Sequence, residues 1–174
     1  MKDLIEKAKL FTINAHNSIL HRRKYTDEPY YVHPERVAEL VATVTSDCEI
    51  IAAAWMHDVL EDVAPKNSAF DKNTIFNYFG ERVLQLVLEV TDVSTLKDGN
   101  RAKRKAIDRE HLSHASNDAK TIKLADLIDN IIDITKHDPN FSKIFRKEAL
   151  LDLPYLQTGN KKLYERVSQL LNIG

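Results

Sequence analysis

The sequence contains one cysteine, Cys48, so no internal disulfide can form, and a reducing compartment suits it. Cys48 lies in Ser46-Asp47-Cys48-Glu49, without a basic neighbour to make it a reactive thiol. Glycine and proline are scarce, at 4 and 5 residues, and no repeat, low-complexity tract or domain linker interrupts the chain. Neither sign of charge dominates. The net charge of −1 provides no global field toward nucleic acid or membrane, so neither is an expected partner. Long hydrophobic runs are also missing. The longest, Ile50 to Met56, is far too short to span a bilayer. The N-terminus, MKDLIEKAKL, scatters charge among its apolar residues, unlike a secretory signal. A cytoplasmic protein is expected. Oligomeric state is not legible.

What is present reads as helix almost throughout. The 174 residues predict one domain, 1–174, large enough to bury a core. Leu4, Ala8, Phe11 and Ala15 share a face, and Val37, Leu40, Val41 and Val44 follow helical spacing. Ile50 to Val63 is apolar nearly all round before its acidic residues, as a central buried helix would be. Val83 to Val90, Ile122 to Ile134 and Leu163 to Leu171 continue the pattern. Asp47 and Asn117 are candidate N-caps, and Pro34 suits a first helical turn. The stretch 64–71 and Asp98-Gly99-Asn100 are loops. The expected fold is all-α, a compact bundle of roughly eight to ten helices.

One set of side chains carries chemistry: His33, His57-Asp58 and Asp126, with Glu61-Asp62 one helical turn past the dipeptide and Asn130 one turn past the last aspartate. Burying several carboxylates without compensation would be very costly, and a divalent cation is the natural compensation. Two histidines and two aspartates make a mixed nitrogen and oxygen donor set. With no thiolate it suits Mn²⁺ or another hard-to-borderline ion better than structural zinc. Lys123, Asp126 and Asn130 share a face, so a plain buried Asp–Lys pair is the competing reading there. A second dipeptide, His137-Asp138, lacks the acidic follow-up and reads as a solvated helix end.

The chain resembles the HD-domain phosphohydrolases, and specifically the (p)ppGpp hydrolase domain of the RelA/SpoT family in its stand-alone, metazoan SpoT homolog-like form. The matching stretches are Pro29-Tyr30-Tyr31-Val32-His33-Pro34, the run Ala52 to Asp62, Phe79 to Val83, Val90-Thr91-Asp92, and Lys123-Leu124-Ala125-Asp126 with Asn130. They cover most of the chain, from Phe11 to Ile134. The resemblance implies one Mn²⁺ per chain held by His33, His57, Asp58 and Asp126. It implies that Glu61 and Asp62 position and activate the nucleophilic water, with Asn130 near substrate and metal. The implied reaction is hydrolysis of the 3′-pyrophosphate of ppGpp or pppGpp, giving GDP or GTP and pyrophosphate.

A polyanionic nucleotide needs local positive charge. Arg22-Arg23-Lys24 precedes the first motif, and Lys97, Arg101, Lys103, Arg104 and Lys105 form a second cluster. Arg23, Lys24, Lys97, Arg101, Lys103 and Asn130 are the expected substrate contacts. His111 and His114 read as surface residues. Leu127 and Asp129 depart from the residues the family often carries there. They favour an alternative nucleotide substrate, such as NADPH or another 3′- or 2′-phosphorylated species. A catalytically silent nucleotide-binding regulator is a third reading, opposed by the full ligand set.

Overall fold

The computed structural model describes residues 2–172. Among them no strand forms; Arg22 and Pro29 make an isolated antiparallel bridge. Nine α-helices occur among the described residues, in agreement with the all-α expectation. The chain divides into two compact units, Met1–Thr91 and Asp92–Gly174.

The first unit holds α1 (Lys2–Ser18), α2 (Val32–Ala42), α3 (Cys48–Met56), α4 (Lys72–Phe79) and α5 (Glu81–Val90). Its centre is α3, against which α1, α2 and α5 pack. Every residue from Ile50 to Met56 is buried, which explains an apolar surface without a polar face. Ala52, Ala53 and Ala54 keep the helix thin, so its neighbours approach closely. Asp47 caps α3 by accepting from the Glu49 N–H at 2.9 Å, as the sequence predicts. Arg82 of α5 clamps that end, donating to Asp47 and Glu49 at 2.8 and 2.6 Å. Thr12 of α1 donates to the Trp55 carbonyl at 2.9 Å, tying α1 to the far end of α3. Gly80 joins α4 to α5 at φ +87°, ψ 174°, a backbone region that side chains rarely enter.

The expected continuous helix from Ile50 to Val63 is broken. α3 stops at Met56, and a π-helical turn spans Val59–Val63. Its signature is the Ala64 N–H bonded to the Val59 carbonyl at 3.0 Å, five residues back. The extra residue in the turn resets which side chains face inward, a shift that apolar spacing does not encode.

The second unit holds α6 (Arg101–Ser113), α7 (Asn117–His137), α8 (Pro139–Asp152) and α9 (Lys161–Asn172). The long α7 is its spine, with α8 and α9 packed on it. Ile122, Leu124, Ala125, Ile128 and Ile131 are buried along it. Ser116, not Asn117, is its N-cap, accepting from the Ala119 N–H at 3.2 Å. Asn117 lies one residue inside, where its carbonyl accepts from the Thr121 hydroxyl. Leu163, Val167 and Leu171 bury one face of α9, a spacing of four residues that matches the sequence reading.

Candidate metal centre

His33 lies in the first turn of α2, with Pro34 beside it, and is 1% exposed. His57 and Asp58 occupy the bend where α3 gives way to the π turn. The His57 ring meets the Ala54 carbonyl through Nδ1 at 2.8 Å. A carbonyl only accepts, so Nδ1 carries the hydrogen and Nε2 presents a lone pair. That Nε2 stands 3.3 Å from His33 Nε2 and 3.2 Å from Asp58 Oδ2. His33 Nε2 is 3.6 Å from the same oxygen. Donor atoms of these three residues all lie within 4.8 Å of one another, a grouping that can hold a metal ion. Two ring nitrogens and a carboxylate oxygen converging in a buried place are the donor chemistry of a borderline divalent cation.

The π turn separates the acidic pair. Glu61 is exposed, while Asp62 is half-buried. Burial pushes the Asp62 carboxyl up to about 6, the Asp58 charge adds to the rise, and hydrogen bonding to Tyr30 opposes it. Asp62 therefore titrates near neutrality, which suits a proton acceptor.

Three residues beside the centre were not singled out as site residues from the sequence. Tyr30 donates its hydroxyl to Asp58 Oδ2 at 2.8 Å. His21 stacks on the Tyr30 ring, with centroids 3.8 Å apart and planes at 6°. His16, wholly buried, meets His21 through Nδ1 of both rings at 3.1 Å, and its Nε2 has no hydrogen-bond partner among the described residues. An orphaned N–H costs more than an orphaned lone pair, which places the His16 hydrogen on Nδ1, donating to His21. Burial drives His16 down to about 4 and also holds His21 below the ordinary histidine value, so His16 stays neutral near pH 7. Tyr30 was present in the Pro29-to-Pro34 motif. His16 and His21 follow no ligand spacing; the turn that ends α1 brings them together, with the His21 N–H donating to the His16 carbonyl at 3.0 Å.

Asp126 lies on α7 in the second unit and is 5% exposed. Asn130 donates to its Oδ1 at 2.5 Å, and Lys123 pairs with its Oδ2 at 2.9 Å. The three residues do share one face, as their i−3 and i+4 spacing predicts. Leu127 and Asp129, the two departures, are both buried on the same helix.

The basic residues have different surroundings. Arg23 is buried, with its guanidinium carbon 5.7 Å from the centre of the Tyr30 ring, whose hydroxyl reaches Asp58. Lys24 is exposed, its ammonium 4.8 Å from the Tyr25 ring centre. In the second unit Lys97 and Lys103 are exposed. Arg101 makes a fork with Glu148 at 2.6 and 2.8 Å, so its guanidinium already serves a structural pair. Lys105 and Arg109 likewise meet Asp92 and Asp152, each at 2.7 Å. His114 is exposed and His111 half-buried. At the second dipeptide, His137 meets Asp133, and Asp138 caps α8 by accepting from the Phe141 N–H at 3.0 Å. Both residues serve a helix junction. No helix among the described residues is long and apolar enough to cross a membrane.

Comparison with known proteins agrees with this geometry. The HD domain family matches residues 8–151. The guanosine-3′,5′-bis(diphosphate) 3′-pyrophosphohydrolase MESH1 of Xenopus tropicalis is 34% identical over 139 residues, covering 78% of this chain and 72% of the relative. Its counterpart from Mus musculus is 33% identical over 165 residues, covering 90% and 87%. A solved structure described as a metazoan ortholog of SpoT that hydrolyzes ppGpp superposes with a TM-score of 0.83 at 25% identity, covering 97% of this chain and 94% of that one.

Proposed function

This chain belongs to the HD-domain family, and we propose that it hydrolyses the 3′-pyrophosphate of ppGpp or pppGpp, releasing pyrophosphate and GDP or GTP. The observation that carries the reading is the convergence of His33, His57 and Asp58 donor atoms within 4.8 Å, beside a carboxyl poised near neutrality. A divalent cation, Mn²⁺ in our reading, supplies Lewis acidity there and makes water easier to deprotonate.

The side chains divide the remaining work. His33, His57 and Asp58 hold the cation. On sequence grounds Asp126 is the fourth ligand and Asn130 a substrate contact. Asp62, with Glu61 on the solvent side, takes the proton from the attacking water. The water oxygen bonds to the phosphorus carried on the 3′-oxygen. The bond from that phosphorus to the 3′-oxygen breaks, and the proton taken up by Asp62 is returned to the 3′-oxygen, which leaves as the hydroxyl. Arg23 and Lys24 bring positive charge to the phosphates, where charge develops in phosphoryl transfer.

Product analysis tests the reading. Incubation of ppGpp with Mn²⁺ is expected to release pyrophosphate and GDP in equal amounts, with no turnover of NADPH under the same conditions. Full activity in Asp58→Ala protein would sink the assignment.

A further inference from the structure

Asp58 has to present one particular oxygen. Its Oδ2 is the carboxylate atom facing both Nε2 atoms, at 3.2 Å from His57 and 3.6 Å from His33. A carboxylate on a short side chain at a helix break can rotate about χ1 and χ2 and turn that oxygen away. The residue lies in the sparsely populated bridge region, at φ −96°, ψ −4°, outside the regular ladder of α3. Something beyond its own backbone has to hold the carboxylate.

Tyr30 is placed to do so. Its hydroxyl donates to the same Oδ2 at 2.8 Å. A carboxylate oxygen has two lone pairs, so one can take the hydroxyl while the other faces the ring nitrogens. The tyrosine is itself fixed at several points. Its N–H donates to the His21 carbonyl at 3.1 Å, and its carbonyl accepts from the His33 N–H at 3.0 Å. The Arg22–Pro29 bridge closes the intervening loop. The ring stacks on His21 and has the Arg23 guanidinium carbon 5.7 Å from its centre. Phenol, backbone and stacked ring thus form one rigid strut from the 21–30 loop to the carboxylate.

We propose that Tyr30 is a positioning residue for the metal-ligating oxygen of Asp58, and that the stacked His21 ring holds it in place. This rests on the metal-centre reading above. It does not require that Tyr30 touch substrate or exchange a proton. Groups in the outer shell of metal sites commonly change affinity by about 10–100-fold when removed. An effect near the lower end is expected here, because the three donors stay on the chain.

Calorimetric titration of the metal-free protein with Mn²⁺ is the test. Tyr30→Phe, which keeps the ring and its stack, is expected to weaken Mn²⁺ binding by about 10-fold, with the melting temperature of the metal-free protein unchanged. His21→Ala, which keeps the hydroxyl but removes the stack, is expected to weaken Mn²⁺ binding less. Mn²⁺ binding by Tyr30→Phe equal to wild type would overturn the proposal and leave the metal centre standing. No Mn²⁺ binding by the wild type would instead remove the metal centre. If Tyr30→Phe lost its helical circular dichroism, the decision would pass to His21→Ala, where wild-type affinity would overturn the proposal.

Discussion

His33 Nε2 and His57 Nε2 face each other across 3.3 Å. The His57 nitrogen presents a lone pair, because its other ring nitrogen serves the Ala54 carbonyl at 2.8 Å. Two buried imidazoles aimed at one point, with a carboxylate oxygen beside them, are mutually satisfied by a cation. Mn²⁺ at about 100 times its Kd should therefore stabilise the fold by about 2.7 kcal/mol, raising Tm by roughly 5–10 °C. His57→Ala should abolish the shift and EDTA should reverse it in the wild type. Thermal melts with and without Mn²⁺ check this, and equal shifts in both proteins would refute it.

Asp62 is expected to dominate proton transfer. Asp62→Asn should lower kcat by about 10²–10⁴-fold, and Glu61→Gln by less, since Glu61 is exposed. A base must be ionised to act. The Asp62 carboxyl lies at about 6 before a cation offsets the Asp58 charge that helps raise it, so the wild-type rate should rise with pH at or below that region and level off above it. A pH–rate profile of kcat/KM is the measurement. An acid limb that survived in Asp62→Asn would assign the base elsewhere.

His16 makes folding pH-dependent. Its value in the fold is about 4, below the ordinary 6.5, so between these values the unfolded chain binds a proton that the folded chain refuses. The resulting stability is complete above 6.5 and is lost as pH falls toward 4, by an amount on the order of 3 kcal/mol. Asp62 runs the opposite way. Its value is raised from 3.8 to about 6, so its contribution is present below 3.8 and lost as pH rises through 6. Comparing wild type with His16→Gln cancels the Asp62 contribution. Urea unfolding at pH 7.5 and pH 5 should show the wild type losing more stability than the variant.

Gly80 should be intolerant of a side chain for conformational reasons alone. A Cβ there meets nothing within 4 Å, yet φ is +87°. Gly80→Ala is expected to cost about 1–3 kcal/mol, with metal binding retained because the junction of α4 and α5 holds none of the donors. Chemical denaturation with a parallel Mn²⁺ titration measures both.

Much of the fold is written in apolar spacing. The buried run 50–56, the long α7 and the four-residue repeat of α9 are periodic, and periodicity survives without knowledge of neighbours. Caps are less secure. Asp47 was legible, whereas Ser116 and Asn117 are adjacent polar residues and only the helix start distinguishes them. The π turn was not legible, because Val59 to Val63 has the apolar spacing of an ordinary helix. That turn nonetheless sets Glu61 outward and Asp62 inward. The basic cluster around Arg101 shows the same limit, since its partner Glu148 is 47 residues away.

Residue types and their spacing along the chain were enough for the all-helical class and for the shared face of Lys123, Asp126 and Asn130, and they put forward His33, His57 and Asp58, whose donor atoms converge within 4.8 Å. These depend on local periodicity and on chemistry that few side chains possess. The Tyr30–Asp58 strut, which joins residues 28 apart, and the burial that raises the Asp62 carboxyl arose from contacts between segments distant in sequence. Such contacts are decided by how helices and loops pack, and burial, which moves the Asp62 and His16 protons, exists only once that packing has formed.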